Sequence, residues 1–257
     1  MLTDRGIKGP RIKPQDRLLQ FLCDGSTYGS PAAEVEMITT HAAFIFLVAE
    51  RAFKMKRAVR YSFLDFTRLA ARKAALEDEL RLNRRTAPML YRRLIPVTDE
   101  GQGRLALDGP GEPLEWLLEM RRFDQDALLD RVAERGSMDA GLIDRLAREI
   151  ATFHDQAEIQ KNHGGLAGMR QVIEGNAEDF SRLVGEVLPG AQVVELDRKV
   201  RAELERHAGL LERRRGEGKV RLCHGDLHLG NIVLLNGAPV LFDCLEFDEA
   251  LASIDTL

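Results

Sequence analysis

The sequence predicts an α+β fold: an antiparallel sheet carrying one helix, then a mostly helical region that closes on a β-hairpin. Three observations predict it. Between Glu34 and Phe123, short apolar runs rich in β-branched and aromatic residues are separated by turn formers. After Phe123 the apolar residues recur at helical spacing. Near the end, Asn236-Gly237 divides "NIVLL" from "APVLFD", the strongest short-range hairpin signal.

Each element has its own reason. Residues 1–33 read as a loosely structured lead-in, because "CDGSTYGSP" is rich in turn formers. "EVEMITT" alternates, with Val35, Met37 and Thr39 on one side. "FIFLVA" is a buried strand by composition, and "AFKMKRAV" follows after Glu50-Arg51, which makes an antiparallel meander. "LDFTRLAARKAALEDELRLNRR" contains no Gly or Pro and is a helix, with Pro88 just beyond its end. "RRLIPVT", "RLALDG" and "PLEWLLEMRRF" are further strands, the last ending near Met120. A helical stripe then runs through Leu142, Leu146, Ile150 and Phe153, and another through Val200, Leu204 and Leu211. A loop and a further helix are expected between them, from "KNHGGLAGM" onward. The basic run Arg213–Arg215 is expected to face water at a helix C-terminus and complement its dipole.

Bulk properties narrow the function. A chain of 257 residues has room for one large domain or two lobes. A net charge of −4 from 37 basic and 41 acidic side chains argues against a basic nucleic-acid-binding face. Three cysteines without a C-x-x-C pair fit reduced thiols in a cytoplasm. The N-terminus carries charges throughout and does not read as a signal peptide. The longest apolar run, "AAFIFLVA", is far shorter than the ~20 residues that span a bilayer. A cytoplasmic protein with neither a nucleic-acid nor a membrane partner is expected.

The chemistry concentrates in "CHGDLHLGN", Cys223 to Asn231, immediately before the hairpin. A two-residue turn at Asn236-Gly237 sets Gly230 opposite Asp243 and Asn231 opposite Phe242, on strands about 5 Å apart. In that ideal register Asn231 and Asp243 point to opposite faces. A three-residue turn with a bulge, or a kink at Gly230, brings them to one face, and one of these is expected. Asp226, Asn231 and Asp243 then offer hard oxygen ligands in small number, which suits Mg²⁺. Asp226 also precedes Asn231 by five, the separation in the protein-kinase loop H-R-D-x-x-x-x-N. A rival reading is a zinc-dependent hydrolase: His224, Asp226 and His228 alternate and would share a face on a strand. Gly225 and Gly230 favour a loop instead.

"HGDLHLGN" followed by "VLFD" resembles the catalytic loop and metal-binding strand of the aminoglycoside phosphotransferase and choline kinase-like superfamily. The stretch from "THAAFIF" to "LRLNRR" resembles the N-lobe of a bacterial branch of that superfamily, so the match runs from about Val35 to the end. The resemblance implies a protein-kinase-like two-lobed fold, with an N-lobe over 34–120 and a mostly helical C-lobe over 121–257 that stops short of the family's last helices. It implies ATP and Mg²⁺ as cofactors and a hydroxyl of a small metabolite or aminoglycoside-like molecule as phosphoryl acceptor. Many members of the branch are joined to a C-terminal P-loop ATP-binding domain, an expected partner in a full-length chain. The alternative within the same fold is a non-catalytic nucleotide-binding (pseudokinase) module of a longer protein.

Carried over by position, the resemblance makes Asp226 the catalytic base, Asn231 and Asp243 the Mg²⁺ ligands, His224 a brace for the loop and His228 a supporting residue. It also requires a third-strand lysine paired with a glutamate on the following helix. Lys54 and Lys56 share a face and either could reach the phosphates; Lys54 is preferred. Glu77 and Glu79 are the partner candidates, and Glu79 fits the pattern "ELRLNRR" better. Adenine is expected near the backbone of Glu119, Met120 and Arg121. The sequence departs from the protein-kinase pattern in two places. No G-x-G-x-x-G lies between the first two strands, where Thr40, His41 and the small Ala42 and Ala43 would have to admit phosphates. Asp243-Cys244-Leu245 lacks the Phe-Gly of protein kinases, and Glu246 and Asp248 beyond it are candidates for a second metal held through water.

Overall fold

In the computed structural model residues 14–61, 64–185 and 187–256 are described, and the chain divides into two units. The first holds the described residues up to Met138 together with His228–Phe247. It begins with helix α1 (Pro14–Leu22) and a 3₁₀ turn, Gly25–Tyr28. Strands β1 (Glu36–Thr39), β2 (Ala43–Val48) and β3 (Arg51–Lys56) follow, then the short pair β4 (Arg60–Tyr61) and β5 (Leu64–Asp65). Helix α2 (Leu69–Asn83) precedes β6 (Tyr91–Asp99), β7 (Leu105–Leu107), β8 (Glu112–Arg121) and the short α3 (Leu129–Glu134). The main sheet is antiparallel in the order β1-β2-β3-β8-β6-β7. The expected meander with its inserted helix is therefore present, with β4 and β5 added between β3 and α2.

Period-two alternation gives this sheet two apolar faces. Phe44, Phe46, Phe53 and Met55 pack on one side with Leu18, Leu22 and Tyr28. Leu47, Ala52 and Leu118 pack on the other with Leu76 of α2 and with Val233, Val240 and Phe242 of the hairpin. Covered on both faces, β2 has no solvent side, which is why its sequence is an unbroken apolar run.

The lead-in corrects the expectation of a loose segment. Leu18, Leu22 and Tyr28 are buried, and the Tyr28 hydroxyl donates to the Leu22 carbonyl at 2.8 Å. The buried Gln15 amide donates to the Lys56 carbonyl and to Glu115, and its oxygen accepts from the Ala58 N–H. Glu115 also takes the Arg72 guanidinium at 2.8 Å, so α1, β3, α2 and β8 meet at one buried ion pair. The turn formers only end the helix: Asp24 caps the 3₁₀ turn by accepting from the Ser26 N–H, and Gly29 takes a left-handed φ of 73°. Residues 1–13 of the lead-in lie outside the described residues.

The second unit holds Asp139–Leu227 and the described residues from Asp248 on. Its helices are α4 (Ala140–Gln156), α5 (Gly165–Leu183) and α6 (Gly190–Gly216). Asp139 caps α4 by accepting from the Leu142 N–H at 2.6 Å. Strands Val220–Leu222 and Ser253–Asp255 pair antiparallel. The run Arg213–Arg215 does more than face water. Arg214 makes two hydrogen bonds to the Asp255 carboxylate, at 2.7 and 2.6 Å, and a third to the Thr256 carbonyl. This fork ties the end of α6 to the last strand. Among the described residues no helix is long and apolar enough to cross a membrane.

Leu22 is fully buried against the outer sheet face. Leu22→Ala should destabilise the protein by about 2–5 kcal/mol, the range for a leucine-sized cavity. Urea unfolding would register this as a lower midpoint, whereas a loosely attached lead-in would leave the midpoint in place.

Candidate active site

The hairpin of the first unit keeps the two-residue turn. Leu235 pairs with Ala238 and Ile232 with Leu241, while Asn236 and Gly237 take φ values of 53° and 79°. These left-handed values are those of the tight hairpin turn that matches strand twist. No bulge interrupts this register. The chain breaks just before it, in a 3₁₀ turn over Leu229–Asn231, so the kink falls at Gly230 as the second of the two expected devices. His228 caps that turn, its Nδ1 accepting from the Gly230 N–H at 3.1 Å. At the other end Asp243 bends into the left-handed region at φ 58°. Asn231 and Asp243 consequently line the same cavity.

That cavity is about 190 Å³, several times the ~30 Å³ that one water occupies, and so is too large for a packing fault. Ile45, Leu47, Ala52, Met120 and Phe242 form apolar walls. Lys54, Asn231 and Asp243 lie at its polar end, and Arg121, Arg122 and Phe123 border it along the exit of β8.

The phosphotransferase enzyme family matches residues 63–252. The chain belongs to that family. Its two-lobed, kinase-like α+β architecture agrees with the sheet unit and the helical segments described above. Uncharacterised proteins of Mycobacterium bovis and of two strains of Mycobacterium tuberculosis are each 27% identical over 240 residues. The match covers 91% of this chain and 46% of each relative, so the chain spans under half the length of the curated relatives it matches.

In this family member the polar end of the cavity is the start of a continuous ionic chain. The Lys54 ammonium meets Asp243 Oδ1 at 2.6 Å and Glu79 Oε1 at 2.7 Å. The other oxygen of Glu79 meets the Lys56 ammonium as an ion pair at 2.7 Å, without hydrogen-bond alignment. Lys56 in turn donates to Glu246 Oε1 at 2.5 Å. Burial opposes the charge on Lys54, but Asp243 and Glu79 outweigh it and hold its pKa well above the ordinary lysine value. Lys56 is raised for the same reasons, with Glu79 as the main counter-charge. Burial pushes the Glu246 carboxyl up, against the pull of Lys56.

The sequence-predicted residues separate accordingly. Lys54, Asn231, Asp243, Met120 and Arg121 line the cavity. Lys56 shares the face of Lys54 but lies buried between Glu79 and Glu246, outside the cavity lining. Glu77 is at the surface on Lys73, whereas Glu79 has no exposed area. The Glu119 carboxylate turns away from the cavity to Arg92 and Arg93. Thr40 and His41 are also outside the lining; their carbonyls accept from Arg57, and Tyr61 adds a bond to that of His41. Glu246 is engaged by Lys56 through one oxygen, and Asp248 caps a short helix by accepting from the Ala250 and Leu251 N–H groups.

In the second unit, His224 is 1% exposed and its Nδ1 accepts from the Asp226 N–H at 3.4 Å. Gly225 between them has φ 81°, a loop conformation in which the alternation of a strand is lost. Asp226 is exposed. Among the described residues no three His, Cys, Asp or Glu side chains gather as a metal cage, which removes the geometry that the zinc reading needed.

Sequence reasoning missed two residues that touch the backbone of Asp243 and Cys244. The Tyr91 hydroxyl accepts from the Asp243 N–H at 3.1 Å, and Asn83 Oδ1 accepts from the Cys244 N–H at 3.0 Å. Neither carries a local motif. Cys244 itself is filler, since burial pushes its thiol up to about 12.

Glu79→Ala leaves two buried ammoniums without their shared counter-charge. It should cost about 3–5 kcal/mol in urea unfolding, the range for breaking a buried ion pair. The pH dependence has a definite sign. Both lysine pKa values are raised on folding, so this stabilisation is complete below the ordinary 10.5 and is lost as pH rises through the higher folded values. The thermal midpoint should therefore have an alkaline limb above about pH 10, and that limb should be shallower in Lys56→Met.

Proposed function

We propose that the chain binds ATP with Mg²⁺ in the cavity of its first unit and transfers a phosphoryl group to a hydroxyl of a small molecule. The observation that carries this reading is Lys54, joined at once to Glu79 and Asp243 at one end of a cavity with apolar walls. An ammonium has three donors. Two are placed on carboxylates, and the third suits a phosphate oxygen.

The residues present fit the nucleotide. Ala52 is small and sits in register with Met120, which leaves flat space between apolar walls for a purine. The N–H groups of Arg121 and Arg122 are already bonded to the Leu90 and Glu50 carbonyls. The Phe123 N–H has no such partner among the described residues, so we assign the adenine edge to Phe123 as well as to Met120 and Arg121. Asn231 and Asp243 would hold Mg²⁺; one carboxylate and one amide oxygen form an open set suited to an ion that keeps several waters. Bound Mg²⁺ supplies charge neutralisation for the transferring phosphoryl group.

We assign Asp226 as the base that accepts the proton of the acceptor hydroxyl, on the strength of its motif and its spacing to Asn231. His224 holds the loop through its bond to the Asp226 N–H. His228 supports Asn231 by capping its turn. Protein of this kind contributes positioning and charge rather than covalent chemistry. We place the chain in the cytoplasm, in keeping with three cysteines that form no disulfide. In a longer chain we propose a C-terminal P-loop domain as partner, a reading supported by relatives of about twice this length.

Asp226→Ala should reduce ATP turnover at least ~1,000-fold, as for loss of a general base together with its positioning. Mg²⁺-ATP binding measured by calorimetry should be kept. Asp243→Ala should instead weaken Mg²⁺-ATP binding itself. Undiminished turnover in Asp226→Ala, in a screen over hydroxylated metabolites, would remove the base assignment.

A further inference from the structure

Asp243 is one of five described non-glycine residues with a left-handed φ, and among them it alone lines the cavity. A left-handed bend at an aspartate costs about 1–3 kcal/mol and persists only where surrounding contacts over-determine it. Here the contacts are identifiable. The Phe242 N–H donates to the Asn231 carbonyl at 3.0 Å, on the hairpin side of the bend. The Asp243 N–H donates to the Tyr91 hydroxyl at 3.1 Å, and the next N–H, of Cys244, donates to Asn83 Oδ1 at 3.0 Å. Two consecutive peptide groups are thus held by two buried side chains, Tyr91 at 1% and Asn83 at 0% exposure, from β6 and from the end of α2.

Asn83 reaches further. Its Nδ2 donates to the carbonyl of Glu79, one helical turn earlier, so a single amide side chain joins the residue that carries the Lys54 pair to the segment that carries Asp243. An asparagine does this with its two ends, and neither an alanine nor a leucine can. Tyr91 forms part of the cavity wall, yet its polar atom is engaged with the Asp243 N–H.

We propose that Tyr91 and Asn83 are positioning residues for the metal-binding carboxylate: they fix the backbone bend that presents Asp243, and they act on Mg²⁺ binding only through it. The proposal rests on the reading of Asp243 as a Mg²⁺ ligand. It assigns no direct contact with nucleotide to either residue. Each removes one backbone N–H from the alternatives the bend would otherwise sample, and together they leave the Asp243 carboxylate a single presentation to the cavity.

The test uses Tyr91→Phe, which deletes one oxygen, and Asn83→Ala, each beside an Asp243→Ala control. Amide hydrogen exchange in the nucleotide-free protein should show slow exchange at Asp243 and Cys244 in the wild type. Exchange at Asp243 should quicken in Tyr91→Phe, and exchange at Cys244 in Asn83→Ala. Calorimetry should show Tyr91→Phe requiring roughly three- to ten-fold more Mg²⁺ for half-saturation with ATP present, the effect of one lost hydrogen bond. Binding of metal-free ATP, measured with EDTA, should move less than about twofold. A merely structural role would weaken both forms of ATP alike or lower the thermal midpoint alone, and either result overturns the proposal. An unchanged Mg²⁺ requirement in folded Tyr91→Phe overturns it too. If Asp243→Ala weakens Mg²⁺-ATP binding while Tyr91→Phe does not, only the positioning inference falls. If Asp243→Ala binds as the wild type does, the metal-site reading falls with it. Should Asn83→Ala fail to fold, Tyr91→Phe decides alone.

Discussion

Glu79 sits on α2 with no exposed surface and holds Lys54 through one oxygen and Lys56 through the other. A buried carboxylate is tolerable only when it is paired, and a buried ammonium equally so. Each member of this group therefore requires the next. Lys56 needs Glu246, and Lys54 needs Asp243, so the demand for pairing runs from the helix through β3 to both ends of the Asp243–Glu246 segment. Along this chain three carboxylates alternate with two ammoniums. Of the three, Asp243 lies closest to solvent: its side chain is 40% exposed, against 9% for Glu246 and 0% for Glu79. The ionic network thus ends on a carboxylate at the cavity, where a cation is proposed.

The rest of the first unit serves that arrangement. The sheet presents an outer face to the lead-in and an inner one to α2 and the hairpin, so β3 is pinned from both sides. Lysines at alternate positions of a strand share one face, and the phenylalanine and methionine between and beside them share the other. Phe53 and Met55 anchor β3 outward while Lys54 and Lys56 turn inward to Glu79. The Arg72–Glu115 pair, with Gln15 on the same carboxylate, secures α2 two turns nearer its N-terminus. A helix held by two independent buried ionic contacts has little freedom to slide along the sheet.

How much of this was legible depended on whether the information was local. The Asn236-Gly237 turn, the inserted helix and the apolar run of β2 are written in neighbouring residues, and each is in its expected place. The Lys54–Glu79 pair was reachable through family resemblance, and the structure distinguishes Lys54 from Lys56 by which of them faces the cavity. Lys56–Glu246, Tyr91–Asp243 and Asn83–Cys244 join positions 190, 152 and 161 apart, and nothing in the flanking sequence announces them. The lead-in differs from its expectation for another reason. Its glycines and serines signal turns, while Leu18 and Leu22, four apart on one helical face, and Tyr28 carry the packing signal. At Thr40 and His41 the absence of a glycine-rich loop was visible, but not that Arg57 and Tyr61 would occupy the carbonyls.

The engaged carboxylates also bear on how the proposed metal would be held. Glu246 belongs to Lys56, Asp248 to the N-terminus of a short helix, and Glu79 to two lysines. Among the described residues lining the cavity, the oxygen ligands on offer are one carboxylate, Asp243, already paired with Lys54, and the Asn231 side-chain oxygen. Such a set is too poor in charge to strip a magnesium ion of its water, since that ion dehydrates reluctantly and prefers six oxygens. On the proposed reading most of its shell must come from water and from phosphate, so metal and nucleotide affinity are coupled through the same few atoms. Lys54 sharpens the coupling. On that reading its ammonium repels a cation near Asp243 until a phosphate is present to take part of its charge, so the site would favour the metal as a nucleotide complex over the free ion. A pocket built around a caged metal would show the opposite order: several unengaged acidic groups converging and no lysine among them.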